Sequence, residues 1–180
     1  EIAEPERLYV AFGSGGTAVG LAMGLALGGM STEVAAIAVV ERPLATMGRV
    51  RSLQRMLSAE LAHWKIPEPK SPPRLSLDHA HAGRGYAVPS KESLAACERL
   101  ALEEVHIEPV YTGKAMAALL ADVRRLGLRN VLFWLTARRG PLPHPEDWRS
   151  RLPRALQKRL DAEEHPRTIT RRRVLTALAG

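Results

Sequence analysis

Residues 10–28, VAFGSGGTAVGLAMGLALG, hold six glycines and no charged side chain. The stretch divides near its start. Leu8 to Phe12 is a short apolar run of the kind that forms a buried strand, and from Thr17 onward Ala, Leu, Met and Gly predict a closely packed helix. Between them Gly13, Ser14, Gly15 and Gly16 form a strand-to-helix loop almost free of side chains. Glycines there permit a positive φ and let a ligand come close to the backbone. The first N–H groups of the helix then point into the loop and, with the helix dipole, favour an anion such as a phosphate. Ser14 and Thr17 add hydroxyl donors. Neither GxxxxGK[ST] nor GxGxxG fits this run, so no nucleotide fingerprint is present. A tight turn that only packs on a neighbouring strand is the alternative reading.

At 180 residues the chain is long enough to bury a core, with one domain as the default. Cys97 is the single cysteine, which leaves no disulfide framework and no CxxC pair, and a reducing cytoplasm is the expected compartment. No apolar run approaches a membrane span, so no membrane partner is expected. The chain begins at Glu1 rather than Met, which points to a processed or incomplete polypeptide. Its net charge of +7 is unevenly placed: residues 1–137 carry 15 Lys and Arg against 14 Asp and Glu, and residues 138–180 carry 11 against 5. The basicity therefore belongs to the tail, which is expected to be poorly ordered, and the body lacks the basic patch of a nucleic-acid binder.

The rest of the chain alternates between two periodicities. Glu33 to Val40 predicts a second strand. Residues 42–64 predict an amphipathic helix whose Met47, Val50, Leu53, Met56, Leu57 and Leu61 recur at helical spacing and are expected in the core. Residues 65–74 are a proline-rich loop, 75–79 a short strand and 80–89 another loop. Ser90 is the expected N-cap of a helix over 91–105, with Leu94, Cys97, Leu100 and Ala101 on one face and Cys97 a filler rather than a nucleophile. His106 to Tyr111 predicts a strand, 113–127 a helix ending at Gly127, and 130–135 an apolar strand. Such βα units predict a parallel sheet flanked by helices, with ligands at the carboxyl ends of the strands. The loops after Phe12, Val110 and Leu135 should then lie together. His79 and His81 alternate near Asp78 without a third ligand, so no metal site is expected.

Four segments in order, FGSGGTAVGLA (12–22), GYAVPSKESLAA (85–96), PVYTGKAM (109–116) and LTARRG (135–140), carry a family resemblance. Together they resemble the carboxyl-terminal half of the D-cysteine desulfhydrase and aminocyclopropane-carboxylate deaminase family, pyridoxal-phosphate enzymes of the tryptophan-synthase-β fold type. The likeness runs from about Leu8 to Thr136, and PVYTGKAM is its most specific part. It implies a cofactor domain over 1–137 in which Gly13, Ser14, Gly15, Gly16 and Thr17 cradle the cofactor phosphate. It also implies that Tyr111 is the active-site tyrosine and that Thr112 and Thr136 stand at positions separating the two activities. Deaminases of the family carry Glu at the first and Leu at the second; desulfhydrases carry Ser or Thr, then Thr. A carboxylate at the first position would hold the pyridine nitrogen protonated. A hydroxyl makes a milder electron sink, sufficient for expelling a thiolate. The resemblance therefore implies β-elimination from D-cysteine or a related amino acid, with deamination of the cyclopropane substrate as the alternative.

The same resemblance marks what is missing. The family's Schiff-base lysine lies in the amino-terminal half, which has no counterpart here. Of Lys65, Lys70, Lys91, Lys114 and Lys158, only Lys114 falls in a motif, at a place where the family's lysine does not hold the cofactor and where a solvated or hydrogen-bonded helix start is expected. Leu135 and Ala137-Arg138 also depart from the family pattern. The expectation is an incomplete enzyme, completed by a homodimer or complementary chain, or a remnant that binds cofactor or phosphate without chemistry.

Overall fold

The computed structural model describes residues 3–136 and 145–164, and the chain divides into two units, Glu1–Arg138 and Arg139–Gly180. In the first unit four strands form one parallel sheet: β1 (Arg7–Phe12), β2 (Glu33–Ala38), β3 (Leu75–Asp78) and β4 (Val131–Phe133), in the order β3-β2-β1-β4. The central strands β1 and β2 run Leu8↔Val34 to Phe12↔Ala38 and are buried from their second residue onward. Such unbroken burial belongs to a parallel sheet covered on both faces. The cover comes from α1 (Gly16–Leu27), paired with α2 (Met47–His63), and from α4 (Thr112–Leu126), paired with α3 (Lys91–Ala101).

Local chemistry sets the helix ends. The Thr46 hydroxyl accepts the Arg49 amide at 3.1 Å and starts α2 five residues later than the sequence suggests, because Leu44 and Ala45 first close a turn on the Glu41 carbonyl. Ser90 and Ser93 form a reciprocal capping box at the start of α3. Gly127, at φ +66°, ends α4 in the left-handed conformation that suits glycine. One ion-pair network ties sheet to helix. The Tyr9 hydroxyl donates to Asp122 at 3.0 Å, and Arg7 bridges Asp122 (3.3 Å) and Glu33 (2.9 Å). Burial, with Asp122 adding to it, pushes the Tyr9 phenol up to about 12.

Three expectations need correction. Residues 106–111 form no strand: Pro109 has no amide to give a ladder, and the Glu108 carboxylate gathers the amides of Val110, Tyr111 and Thr112 into a turn. The α2 stripe is not core throughout. Val50 is buried, Leu53, Leu57 and Leu61 are half-buried, and Met47 and Met56 are exposed, the latter by 64%. Helix α2 meets the body through α1 alone among the larger contacts, so one edge of its apolar face faces outward. Helix α3 ends at Ala101, where Glu104 at φ +56° and the Val105 amide on the Leu100 carbonyl close the turn. It buries Ser93 and Ala96, whereas Leu94 and Ala101 are exposed. Small residues are needed because a Cβ on Gly113 of α4 would stand 3.0 Å from the Cys97 sulfur and 3.1 Å from the Ser93 carbonyl.

The second unit contains α5 (Arg154–Glu164), which begins directly after Pro153. Gln157 reaches back to the Leu152 carbonyl at 2.6 Å, and Arg151 pairs with Asp147 at 2.8 Å. Among the described residues no helix is long and apolar enough to cross a membrane.

Candidate active site

The carboxyl ends of β1 and β2 meet where the Val39 amide donates to the Phe12 carbonyl at 3.1 Å. Beyond them opens a cleft of about 590 Å³, walled by Gly13, Ser14, Val40, Thr46, Arg49 and Tyr111, with Pro43 and Leu44 at its rim. This is where a ligand binds on an open parallel sheet.

Its floor is the glycine loop. Gly15 sits at φ +91°, and a Cβ there would come within 2.6 Å of the Phe12 ring. No side chain caps α1, in contrast to α2 and α3, so the helix start is left to a ligand or solvent. Across the loop the Tyr111 hydroxyl occupies the space that a Gly13 side chain would need. Burial raises the Tyr111 phenol above its ordinary value, and Tyr86 and Glu108 push the same way, so its O–H remains a donor at neutral pH.

Arg49 was not singled out from the sequence. Its Nε donates to the Ser14 carbonyl at 3.3 Å, which holds the guanidinium at the loop, and among the described residues it is the only charged one on the cleft wall. Helical spacing made it one more polar residue of α2. Tyr86 was missed as well: its ring meets Tyr111 edge-on, with centroids 6.2 Å apart. Glu108 is the third, and only the turn reveals its role as the amide collector at the start of α4.

Of the expected site residues, Gly13, Ser14 and Tyr111 stand together on the cleft wall, and Gly15, Gly16 and Thr17 continue from it into α1. Thr112 is buried and does not reach the wall; its hydroxyl donates to the Glu108 carboxylate at 3.0 Å and accepts the Glu108 amide at 3.2 Å. Thr136 is exposed, beyond β4, and is not on the wall. Ala137 and Arg138 lie outside the described residues. Lys114 is wholly buried rather than solvated, with its ammonium on the Ala82 and Gly85 carbonyls. Cys97 is half-buried and its thiol is raised by that burial, as suits a filler. His81 pairs with Asp78 at 3.0 Å, and among the described residues no three metal-ligating side chains converge.

A bare loop opening an uncapped helix, with one cation beside it, fits a phosphate monoester. Comparison with known proteins agrees with that fit. The family model of pyridoxal-phosphate dependent enzymes matches residues 1–137. The chain belongs to that family. Its cofactor is accordingly pyridoxal phosphate. Similar proteins include the D-cysteine desulfhydrases of Serratia proteamaculans, 34% identical over 124 residues, and Klebsiella pneumoniae, 34% over 121. That of Salmonella paratyphi C is 35% identical over 124 residues. These matches cover 67–68% of this chain but only 35–36% of the relatives, so the chain spans about a third of their length. A solved structure of an ACC deaminase homologue superposes with a TM-score of 0.60 at 22% identity, covering 74% of this chain and 39% of the other, which establishes the tryptophan-synthase-β-like fold.

Proposed function

We propose that the cleft is the phosphate-and-ring side of a lyase site that eliminates sulfide from D-cysteine or a similar β-substituted amino acid. The observation that carries this reading is the meeting of Gly13 and Tyr111 over the uncapped start of α1. The amides of residues 15–17 bind the phosphate, and Arg49 supplies a counter-charge from the facing wall. Tyr111, kept protonated, donates a hydrogen bond at the cradle's edge, where the substrate meets the cofactor. Bound pyridoxal phosphate supplies the electron sink that lets the substrate's α-proton leave. In the elimination the Cβ–S bond breaks with its electron pair on sulfur, and water hydrolyses the remaining enamine to pyruvate and ammonia.

Thr112 supports elimination over cyclopropane opening. Its hydroxyl is held by Glu108, and that carboxylate is already engaged by three backbone amides, so neither group is arranged to keep a pyridine nitrogen protonated. Thr136 is assigned the matching second position.

A second reading has its own observation. No lysine of the first unit lines the cleft, and Lys114 is committed to two carbonyls. On that reading these residues bind the cofactor without turnover, and the lysine and the proton acceptor come from outside the cleft wall, in a second copy or a complementary chain.

The test is to follow sulfide and pyruvate from D-cysteine, with L-cysteine and aminocyclopropane carboxylate as comparators, in the presence of pyridoxal phosphate. Sulfide and pyruvate from D-cysteine support the lyase reading. Saturable cofactor binding without either product supports the second. Turnover of the cyclopropane alone overturns the assignment of Thr112.

A further inference from the structure

Lys114 has no part in the chemistry above, yet among the described residues it is the one buried cation. It lies in the first turn of α4, where the helix dipole disfavours a positive charge, and burial adds a desolvation cost. Both costs must be offset locally. Its Nζ donates to the carbonyls of Ala82 at 2.8 Å and Gly85 at 2.7 Å. These carbonyls belong to one turn, closed by the Gly85 amide on Ala82 at 3.4 Å and dependent on Gly85 at φ +115°.

The next residue is Tyr86. Its amide donates to the Glu41 carboxylate at 3.2 Å, and its ring stands against Tyr111 at an interplanar angle of 89°. The turn therefore has two ionic fixings, Lys114 beneath its carbonyls and Glu41 against its last amide. Without the ammonium, the Ala82 carbonyl would keep only the long bond from the Gly85 amide and the Gly85 carbonyl would lose its donor, and an unsatisfied buried carbonyl costs more than the bond is worth. Desolvation lowers the Lys114 pKa, while Glu108 and Glu41 act to keep the ammonium charged.

We propose that Lys114 is a positioning residue, a built-in cation that fixes the 82–86 turn and so sets the Tyr86 ring against Tyr111 at the glycine-loop cleft. The significance of that cleft rests on the proposed function, but the positioning itself requires no cofactor.

The experiment uses the full chain labelled with 3-fluorotyrosine, which reports on Tyr9, Tyr86 and Tyr111 by fluorine NMR without cofactor. Tyr9, bound to Asp122 of α4, is the internal control for the fold. In Lys114→Met the Tyr9 line should stay in place, while the Tyr86 and Tyr111 lines lose their mutual ring shift and move toward free fluorotyrosine. In Lys114→Ala, added propylammonium should restore both lines and 1-propanol, of similar shape without charge, should not. A Lys114→Met spectrum identical to wild type, or equal restoration by 1-propanol, would overturn the proposal. Should the Tyr9 line also be lost in both variants, wild-type hydrogen exchange decides. The Gly85 and Tyr86 amides should exchange at least about tenfold more slowly than in an unstructured peptide. Exchange at the unstructured rate would overturn it. Absence of cofactor binding by the wild-type chain, with the variant lines shifting as expected, would count against the functional reading and not against this one.

Discussion

The Tyr111 hydroxyl rests in the space that a side chain on Gly13 would fill, so the end of β1 and the start of α4 share one small volume. Either residue changed alone disturbs both. Gly13→Ala is expected to cost about 1–3 kcal/mol, the usual range for overpacking. In the Tyr111→Ala background the same change should cost far less, giving a coupling of about 0.5–3 kcal/mol in a double-mutant cycle by urea denaturation. Additive losses would mean that the two residues do not meet.

Gly15 carries a different constraint. Its φ of +91° is costly for any L side chain, and its Cβ would press on the Phe12 ring. Gly15→Ala should lose at least about 1–2 kcal/mol from backbone strain alone. For a chain of this size that lowers Tm by about 2–4 °C per kcal/mol. Gly16→Ala, where a Cβ meets nothing within 4 Å, should leave Tm nearly unchanged.

The outward edge of α2 separates two residues that share one periodicity. Val50 is buried and Met56 is 64% exposed. Val50→Ala should cost about 1–3 kcal/mol from lost burial and cavity. Met56→Gln should stay within about 0.5 kcal/mol, as surface changes do. Equal losses would mean that Met56 is covered in solution.

A pH dependence follows from Asp78 and His81. Their hydrogen bond lowers the Asp78 carboxyl below 3.8 and raises the His81 imidazole above 6.5. The Asp78 contribution is present above its unfolded pKa and is lost as pH falls through the lower folded value. The His81 contribution is complete below its unfolded pKa and is lost as pH rises through the higher folded value. The pair thus stabilises most between about pH 4 and 6.5. The Tm difference between wild type and His81→Asn should be largest in that window and shrink toward pH 8. A difference independent of pH would show that the pair carries no charge.

Much of this was legible because local chemistry and tertiary packing agree. The apolar run ending at Phe12, the glycines after it, the Ser90 cap and the Gly127 stop each act within a few residues, and each appears in the fold. Other features depend on groups distant in sequence. Whether the α2 face is covered depends on what packs beside α1, which helical spacing does not report. The segment 106–111 alternates well enough for a strand, but Glu108 takes the amides of Val110, Tyr111 and Thr112 at short range and withholds those three from a ladder. The burial of Lys114 depends on carbonyls about 30 positions away, and the closeness of Arg49 to Ser14 on a crossing between α2 and the loop. The site residues carried by the resemblance are divided in the same way: Gly13, Ser14 and Tyr111 line the cleft, Gly15, Gly16 and Thr17 continue from it into α1, and Thr112 and Thr136 lie off its wall.

The central claim is that the loop of residues 13–17, with Arg49, binds the cofactor through its phosphate. The most direct measurement is an equilibrium titration of the chain with pyridoxal phosphate and with pyridoxal, each repeated in excess inorganic phosphate and with Arg49→Ala. The account predicts saturable binding of pyridoxal phosphate that inorganic phosphate displaces, that Arg49→Ala weakens about tenfold or more, and that pyridoxal does not match. Equal binding of pyridoxal and pyridoxal phosphate, indifferent to inorganic phosphate, would contradict it.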